Sequence, residues 1–179
     1  MQDLMIDIET LSTRPDAAII SVGATEFSRS EPGKLGLNFC MCVKWDDALK
    51  YGKADGETLK WWMTQDWAAR KWYKTEPLYD LPLVLAYLKK FWFRTGANRL
   101  WCHGANFDEP ILTSAMRVCG IDPPWRYNEV RDDRTLFDIV GVEVKGDYPD
   151  LIPHHPLHDA IRQAYNVQTA FKILKEGQK

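Results

Sequence analysis

Leu4 to Glu9 is an apolar run that carries two carboxylates, Asp7 and Glu9, set two residues apart, and no other stretch constrains the fold as much. Side chains alternate along a strand, so Asp7 and Glu9 share one face with Met5 while Ile6 and Ile8 point to the opposite core. Two carboxylates on one face of an otherwise apolar strand repel each other in a low-dielectric setting, and a cation is the usual remedy. A pair of strand-end acids dissolved in water is the plainer reading of an isolated pair. The rest of the chain has to decide between them.

A second strand runs from Ala18 to Phe27 after the turn Arg14-Pro15-Asp16, and Leu37 to Val43 makes a third, so the chain opens as a β-meander. From Thr58 the apolar period becomes helical, through Leu59, Trp62, Met63 and Trp67, which predicts one helix over Thr58 to Tyr73. Another is predicted from Leu81 to Arg94, ended by Gly96. Arg99 to His103 is a fourth strand, leading through Gly104-Ala105-Asn106 into a helix that Gly120 stops. Arg134 to Val140 reads as a short helix, Asp147 to Pro153 as a polar, mobile segment, and the last helix begins near Pro156, a residue suited to a first turn. Strands followed by alternating helices and strands predict an α/β fold with helices packed on a mixed sheet.

Two more acids stand in similar settings. Asp108 follows the fourth strand, and Asp159 lies near the start of the last helix with His154 five residues before it. Four carboxylates and a histidine could hold two divalent cations beside a general base, the apparatus of a phosphodiester hydrolase.

The arrangement resembles a known family. Asp7-Ile8-Glu9-Thr10 after an apolar strand is similar to the first motif of the DnaQ-like, or DEDD, 3′-to-5′ exonucleases. Asn106-Phe107-Asp108 is similar to their second motif, and His154 with Asp159 to the third in its histidine-bearing DEDDh form. Further likeness runs through Ser12 to Ala24, Leu59-Lys60-Trp61-Trp62, Trp101 to Leu112 and Arg134-Thr135-Leu136, to a compact branch that includes phage exonuclease A and bacterial 3′-to-5′ exoribonucleases. The resemblance implies a ribonuclease H-like fold, a five-stranded mixed sheet flanked by helices. It also implies that Asp7 bridges two metals, that Glu9 and Asp159 complete the site of the metal binding the attacking water, and that Asp108 supports the second. Oxygen ligands favour Mg²⁺ or Mn²⁺. His154 would take the proton from the water, and the product would be a nucleoside 5′-monophosphate.

His155 and His158 also lie near Asp159, but His154 sits in the loop before Pro156, free to swing, whereas His158 is fixed on the helix. Pro156 stands where the family usually has alanine, which stiffens this loop. Thr10, Leu11 and Asn106 join the motifs as substrate-binding candidates, with Leu11 as a wedge between terminal bases by analogy with relatives. Trp61 and Trp62 could stack on bases; adjacent helical positions diverge by roughly 100°, so at most one touches substrate. Arg134 is a candidate for a phosphate or an internal carboxylate, alternatives that stay open. His103 reads as a strand-end residue, and Lys172, Lys175 and Lys179 as a solvated face.

Size and charge fit this picture. A chain of 179 residues with 45% hydrophobic content is expected to be one domain, residues 1–179. The formal charge of −2 argues against a nucleic-acid partner until the four acids are neutralised by cations; then 21 of the 25 acidic residues face 23 basic ones, a balance of +2. No basic run occurs, so tight non-specific binding to duplexes is not expected. No apolar run approaches the ~18–20 residues of a membrane span, and Met1 leads straight into a strand, so the expectation is a cytoplasmic protein with no membrane partner. Cys40, Cys42, Cys102 and Cys119 form no CxxC pair and read as reduced core thiols. The expected partner is a single-stranded 3′ end, of DNA or RNA; a homodimer is compatible with the sequence, and no residue argues for it. The rival functions are a ribonuclease H-type endonuclease, which lacks the histidine-bearing third motif, and a non-catalytic nucleic-acid-binding module, which has no use for two cation sites.

Overall fold

The computed structural model describes residues 2–141 and 148–177. Met1, Asp147 at the head of the polar segment and Lys179 of the lysine series lie outside the described residues. Strands β1 (Asp3–Thr10), β2 (Ile19–Phe27) and β3 (Leu35–Val43) form the expected antiparallel meander. A two-residue strand, β4 (Leu78–Tyr79), pairs parallel to β3 at one edge. On the other side β5 (Arg99–Cys102) runs parallel to β1, and β6 (Val130–Asp132) parallel to β5. The sheet order is β4-β3-β2-β1-β5-β6. It therefore has six strands and not five; the extra strand is too short to carry a period in the sequence.

The helices are α1 (Trp45–Tyr51), α2 (Gly56–Thr64), α3 (Trp67–Thr75), α4 (Leu81–Thr95), α5 (Asp108–Val118), α6 (Asp133–Val140) and α7 (Pro156–Glu176). The single helix predicted over Thr58 to Tyr73 is two. Thr64 Oγ1 and Gln65 Nε2 both donate to the Trp61 carbonyl, at 2.7 and 3.0 Å, and Gln65 turns extended at φ −70°, ψ 154°, which ends α2. Helix α4 stops as expected, with Gly96 in the left-handed region at φ 63°. Unforeseen α1 is tied to it, because the buried Asp47 Oδ2 accepts from the Leu81 N–H at 2.6 Å.

The alternation in β1 decides what each face of the sheet buries. Leu4, Ile6 and Ile8 pack with Val84, Leu85 and Leu88 of α4 and Ile111 and Leu112 of α5. Met5 faces the other way, against Phe27, Trp101 and the Ala160, Ala164 and Val167 stripe of α7. Full burial of each large aliphatic side chain is worth about 1.5–3 kcal/mol, so slipping β1 by one residue would exchange the two faces at a cost that fixes its register. Asp7 and Glu9 are thereby committed to the face that α7 covers. Cys42 and Cys102 are buried, Cys40 and Cys119 partly so, and all four are free thiols. No helix among the described residues is long and apolar enough to cross a membrane.

Candidate active site

The row of side chains that starts at Asp3 and runs along one face of β1 changes character toward its C-terminal end. Asp3 is buried but well met, accepting from Arg99 Nε at 2.6 Å and Trp101 Nε1 at 2.8 Å. Asp7 Oδ1 accepts from a neutral group, Gln163 Nε2, at 2.8 Å. Pairing with β5 ends at Met5 opposite Trp101, so the two parallel strands part and the Ile8 N–H turns to Asp108 Oδ1 at 3.3 Å. That parting of strand ends is where open α/β sheets offer a crevice.

Three carboxyl groups gathered there are pushed above their ordinary pKa range. Burial, then the charges of Glu9 and Asp108, push the Asp7 carboxyl well above the usual range, against the Gln163 hydrogen bond. Glu9 is pushed up to about 8 by burial and then by Asp108. Asp108 also reaches about 8, chiefly through burial, with the Ile8 N–H pulling the other way. Such mutual perturbation marks a site suited to positive charge.

Helix α7 brings the fourth acid and the histidine. Its first turn crosses β2 at Gly23, where a Cβ would lie 2.2 Å from the Pro156 carbonyl carbon, so only glycine permits the approach. Pro156 opens the helix as the sequence predicts. The residue before the loop's end, His154, is the one non-glycine residue with positive φ (58°) among those described. A conformation of this kind costs about 1–3 kcal/mol and persists where the surroundings enforce it. Here the His154 N–H donates to Asp159 Oδ2 at 2.9 Å, and its carbonyl accepts from Trp72 Nε1 at 3.0 Å. Its ring stands edge-on to Trp61, with centroids 4.8 Å apart. The His154 backbone is thus held on both sides, with its ring resting against Trp61. Burial, then the Arg162 charge, lower its pKa and so favour the neutral imidazole. Arg162 also forms an ion pair with Asp159 Oδ1.

Ligand atoms of Glu9, His154 and Asp159 all lie within 4.8 Å of one another. They open, with Asp7 and Asp108, into a cleft of about 720 Å³ walled by Trp61, Trp62 and Arg134. The donor set is rich in oxygen, which suits Mg²⁺ or Mn²⁺.

The remaining predicted positions separate. Trp61 is 42% exposed beside the cleft. Trp62 is half-buried against the core and donates from Nε1 to the Thr10 carbonyl at 2.9 Å. Thr10 lines the cleft while its hydroxyl donates to the Ser12 carbonyl at 2.6 Å. Leu11 corrects the expectation of a wedge: it is 1% exposed, in the core, because the register shift after Glu9 turns it inward and its N–H bonds the Ala18 carbonyl at 2.9 Å. Asn106 is exposed and is not among the residues lining the cleft; its Oδ1 stands over Gly104, 3.4 Å from where a Cβ would lie. Arg134 is exposed and does line it.

Two features escape the sequence reading. Gln163 stands one helical turn beyond Asp159, and that i,i+4 spacing could have flagged it. His103 is more than a strand-end residue: its Nδ1 lies 2.8 Å from Oδ1 of the fully buried Asp133, a pairing across 30 residues that no local pattern signals.

Comparison with known proteins follows the same lines. The sequence profile of the 3′-5′ exoribonuclease Rv2179c-like domain matches residues 2–171. No curated protein sequence is a significant match. Among solved structures, E. coli exonuclease I in complex with a 5cy-dA13 oligonucleotide aligns with a TM-score of 0.61 at 15% identity, over 97% of this chain and 40% of that one. Product-bound exonuclease I aligns with a TM-score of 0.63 at 14% identity, over 98% and 44%. The zinc-bound form of the E. coli exonuclease I–ssDNA complex gives 0.62 at 14% identity, over 99% and 41%. The chain spans about two-fifths of the length of these structures, and likeness at this identity speaks for the fold. By the profile that covers nearly all of it, the chain belongs to the Rv2179c-like 3′-5′ exoribonuclease domain family, on the ribonuclease H-like fold of the DEDDh exonucleases.

Proposed function

We propose that this chain is a metal-dependent 3′-to-5′ exonuclease that hydrolyses the terminal phosphodiester of single-stranded DNA or RNA and releases nucleoside 5′-monophosphates. The observation that carries the reading is the convergence of Glu9, His154 and Asp159 within 4.8 Å of one another at the floor of a cleft that also holds Asp7 and Asp108. Asp7, Glu9, Asp108 and Asp159 are the residues to hold two divalent cations, Mg²⁺ or Mn²⁺, and the raised carboxyl pKa values support that fit. When bound, the cations supply Lewis acidity at the scissile phosphate.

The protein's own groups do the rest. His154, neutral and held over Asp159, accepts the proton of the attacking water at an imidazole nitrogen. As the water oxygen bonds to phosphorus, the bond to the 3′ oxygen of the preceding nucleotide breaks, and that oxygen leaves to take up a proton. Gln163 holds Asp7 in place through its amide. Trp61 offers an aromatic face at the cleft to the terminal base. The single six-stranded sheet supports reading residues 1–179 as one exonuclease domain.

The test is a panel of 5′-labelled single-stranded and duplex DNA and RNA incubated with Mg²⁺ or Mn²⁺. Stepwise shortening to a ladder, with a blocked 3′ end resisting, is the expected result. Early internal cuts in a circular single strand would instead identify a ribonuclease H-type endonuclease.

A further inference from the structure

The cleft is an acidic place for a nucleic acid to enter. Besides the acids on its floor, Asp55 and Glu57 stand at its rim, and the arginine in its lining is Arg134. A phosphate chain meets like charge on most sides and hydrogen-bond donors on one wall, built by the residues after β5 and at the start of α6. Arg134 lies against the backbone there, since a Cβ on Gly104 would come within 3.4 Å of its Nη1. His103, the residue before Gly104, lines the same wall with its side chain 40% exposed.

What sets His103 apart from a surface histidine is Asp133. That carboxylate is 0% exposed, its Oδ1 lies 2.8 Å from His103 Nδ1, and its Oδ2 has no hydrogen-bond partner among the described residues. A fully buried acid facing one imidazole fixes the ring, with Nδ1 engaged by the carboxyl group and Nε2 left for the cleft. Burial raises the Asp133 carboxyl and His103 draws it back down.

We propose that His103, oriented by Asp133, forms with Arg134 a phosphate subsite that grips the internucleotide phosphate one step to the 5′ side of the bond being cut. The assignment rests on the exonuclease reading above, in which the scissile phosphate lies at Glu9, His154 and Asp159. The terminal nucleotide carries no phosphate beyond the scissile one, so the next phosphate in reach is on the 5′ side. Arg134 meets it with a planar fork of donors and His103 with a single N–H, a charge-assisted pair suited to two phosphate oxygens. Asp133 is a positioning residue that never touches substrate.

Two DNA hexanucleotides test this, one unmodified and one with the second internucleotide phosphate from the 3′ end replaced by a neutral methylphosphonate. His103→Asn and Arg134→Gln should each raise KM on the unmodified strand about 10-fold or more, with the smaller part of the loss in kcat. Neither should raise KM further on the methylphosphonate strand, because the partner charge is already gone. Asp133→Asn keeps the shape and an acceptor for Nδ1–H, so it should fold, as its thermal melt will register, and give the same pattern at smaller size. Binding measured by fluorescence anisotropy on an Asp7→Asn background should rank the variants in the same order. The subsite is overturned if His103→Asn raises KM equally on both strands, or if it does so on an RNA strand alone, which would assign the ring to a 2′-hydroxyl. Unchanged KM in both variants, with stepwise shortening intact, removes the subsite and leaves the exonuclease reading standing. Failure of the unaltered protein to shorten the hexanucleotide either as DNA or as RNA overturns both.

Discussion

Three histidines crowd the start of α7, and their partners divide the work among them. His155 caps the helix, its ring accepting from the His158 N–H at 3.4 Å, and it is stacked on His158 at 4.0 Å and set against Trp72 at 4.5 Å. Burial, then the charge of His158, push its pKa down to about 4. His158 Nδ1 is taken by the Ile152 N–H at 2.9 Å. Only His154 among the three belongs to the group with Glu9 and Asp159. His154→Ala should therefore cut turnover by about 10²–10⁴-fold while the melting temperature stays near that of the parent. His158→Ala should do the reverse, losing about 1 kcal/mol of stability with turnover largely kept. Steady-state kinetics and thermal melts on both variants check this, and the opposite pattern would move the base to His158. The tryptophan pair splits in the same way. Trp61→Ala should weaken single-strand binding by roughly 10-fold, as loss of one stacked base does. Trp62→Ala, which gives up the Thr10 hydrogen bond, should lower stability as well. Titration of a labelled strand against each variant, with salt dependence shallow for want of a basic run, decides it.

At the level of elements, the site exists because α7 can lie close on β2. Gly23→Ala would put a methyl carbon 2.2 Å from the Pro156 carbonyl carbon, backbone that cannot step aside alone, so the first turn of α7 must shift and carry His154 and Asp159 with it. The expected outcome is a loss of about 1–3 kcal/mol in urea unfolding together with most of the activity. Parent-like stability and turnover would show that the approach is not needed. Elements with a sustained period were legible in the sequence: β1 to β3, α4 and the apolar stripe and first-turn proline of α7 all follow from spacing. Those decided by side-chain competition or by length were not. The break between α2 and α3 depends on Thr64 and Gln65 capturing one carbonyl, and β4 and β6 are too short for a period to show. The same holds within the site. The motif residues announce themselves, but Gln163 and the His103–Asp133 pair are defined by partners 156 and 30 residues away. Leu11, a wedge by analogy with relatives, is in the core because a register shift after Glu9 turns it inward, which no local pattern signals.

For the molecule as a whole, the site is a store of electrostatic free energy. Glu9 and Asp108 are held near 8 in the fold, against ordinary values of 4.5 and 3.8. A carboxyl raised on folding stabilises the fold fully below its unfolded pKa and loses that contribution as pH rises through the folded one. Metal-free protein should accordingly melt at progressively lower temperature from about pH 4 to about pH 8, and saturating Mg²⁺ or Mn²⁺ should restore most of the loss at the upper end. A melt series across that range, with and without the cation, checks the sign; stability that climbs with pH in the metal-free protein would contradict it. The most direct test of the central claim, that these acids hold the cations of a 3′-to-5′ exonuclease, is a time course on one 5′-labelled single strand. With Mg²⁺ or Mn²⁺ the account predicts a ladder shortening from the 3′ end, arrested by excess chelator and absent in folded Asp7→Ala protein. Undiminished cleavage in excess chelator would contradict it.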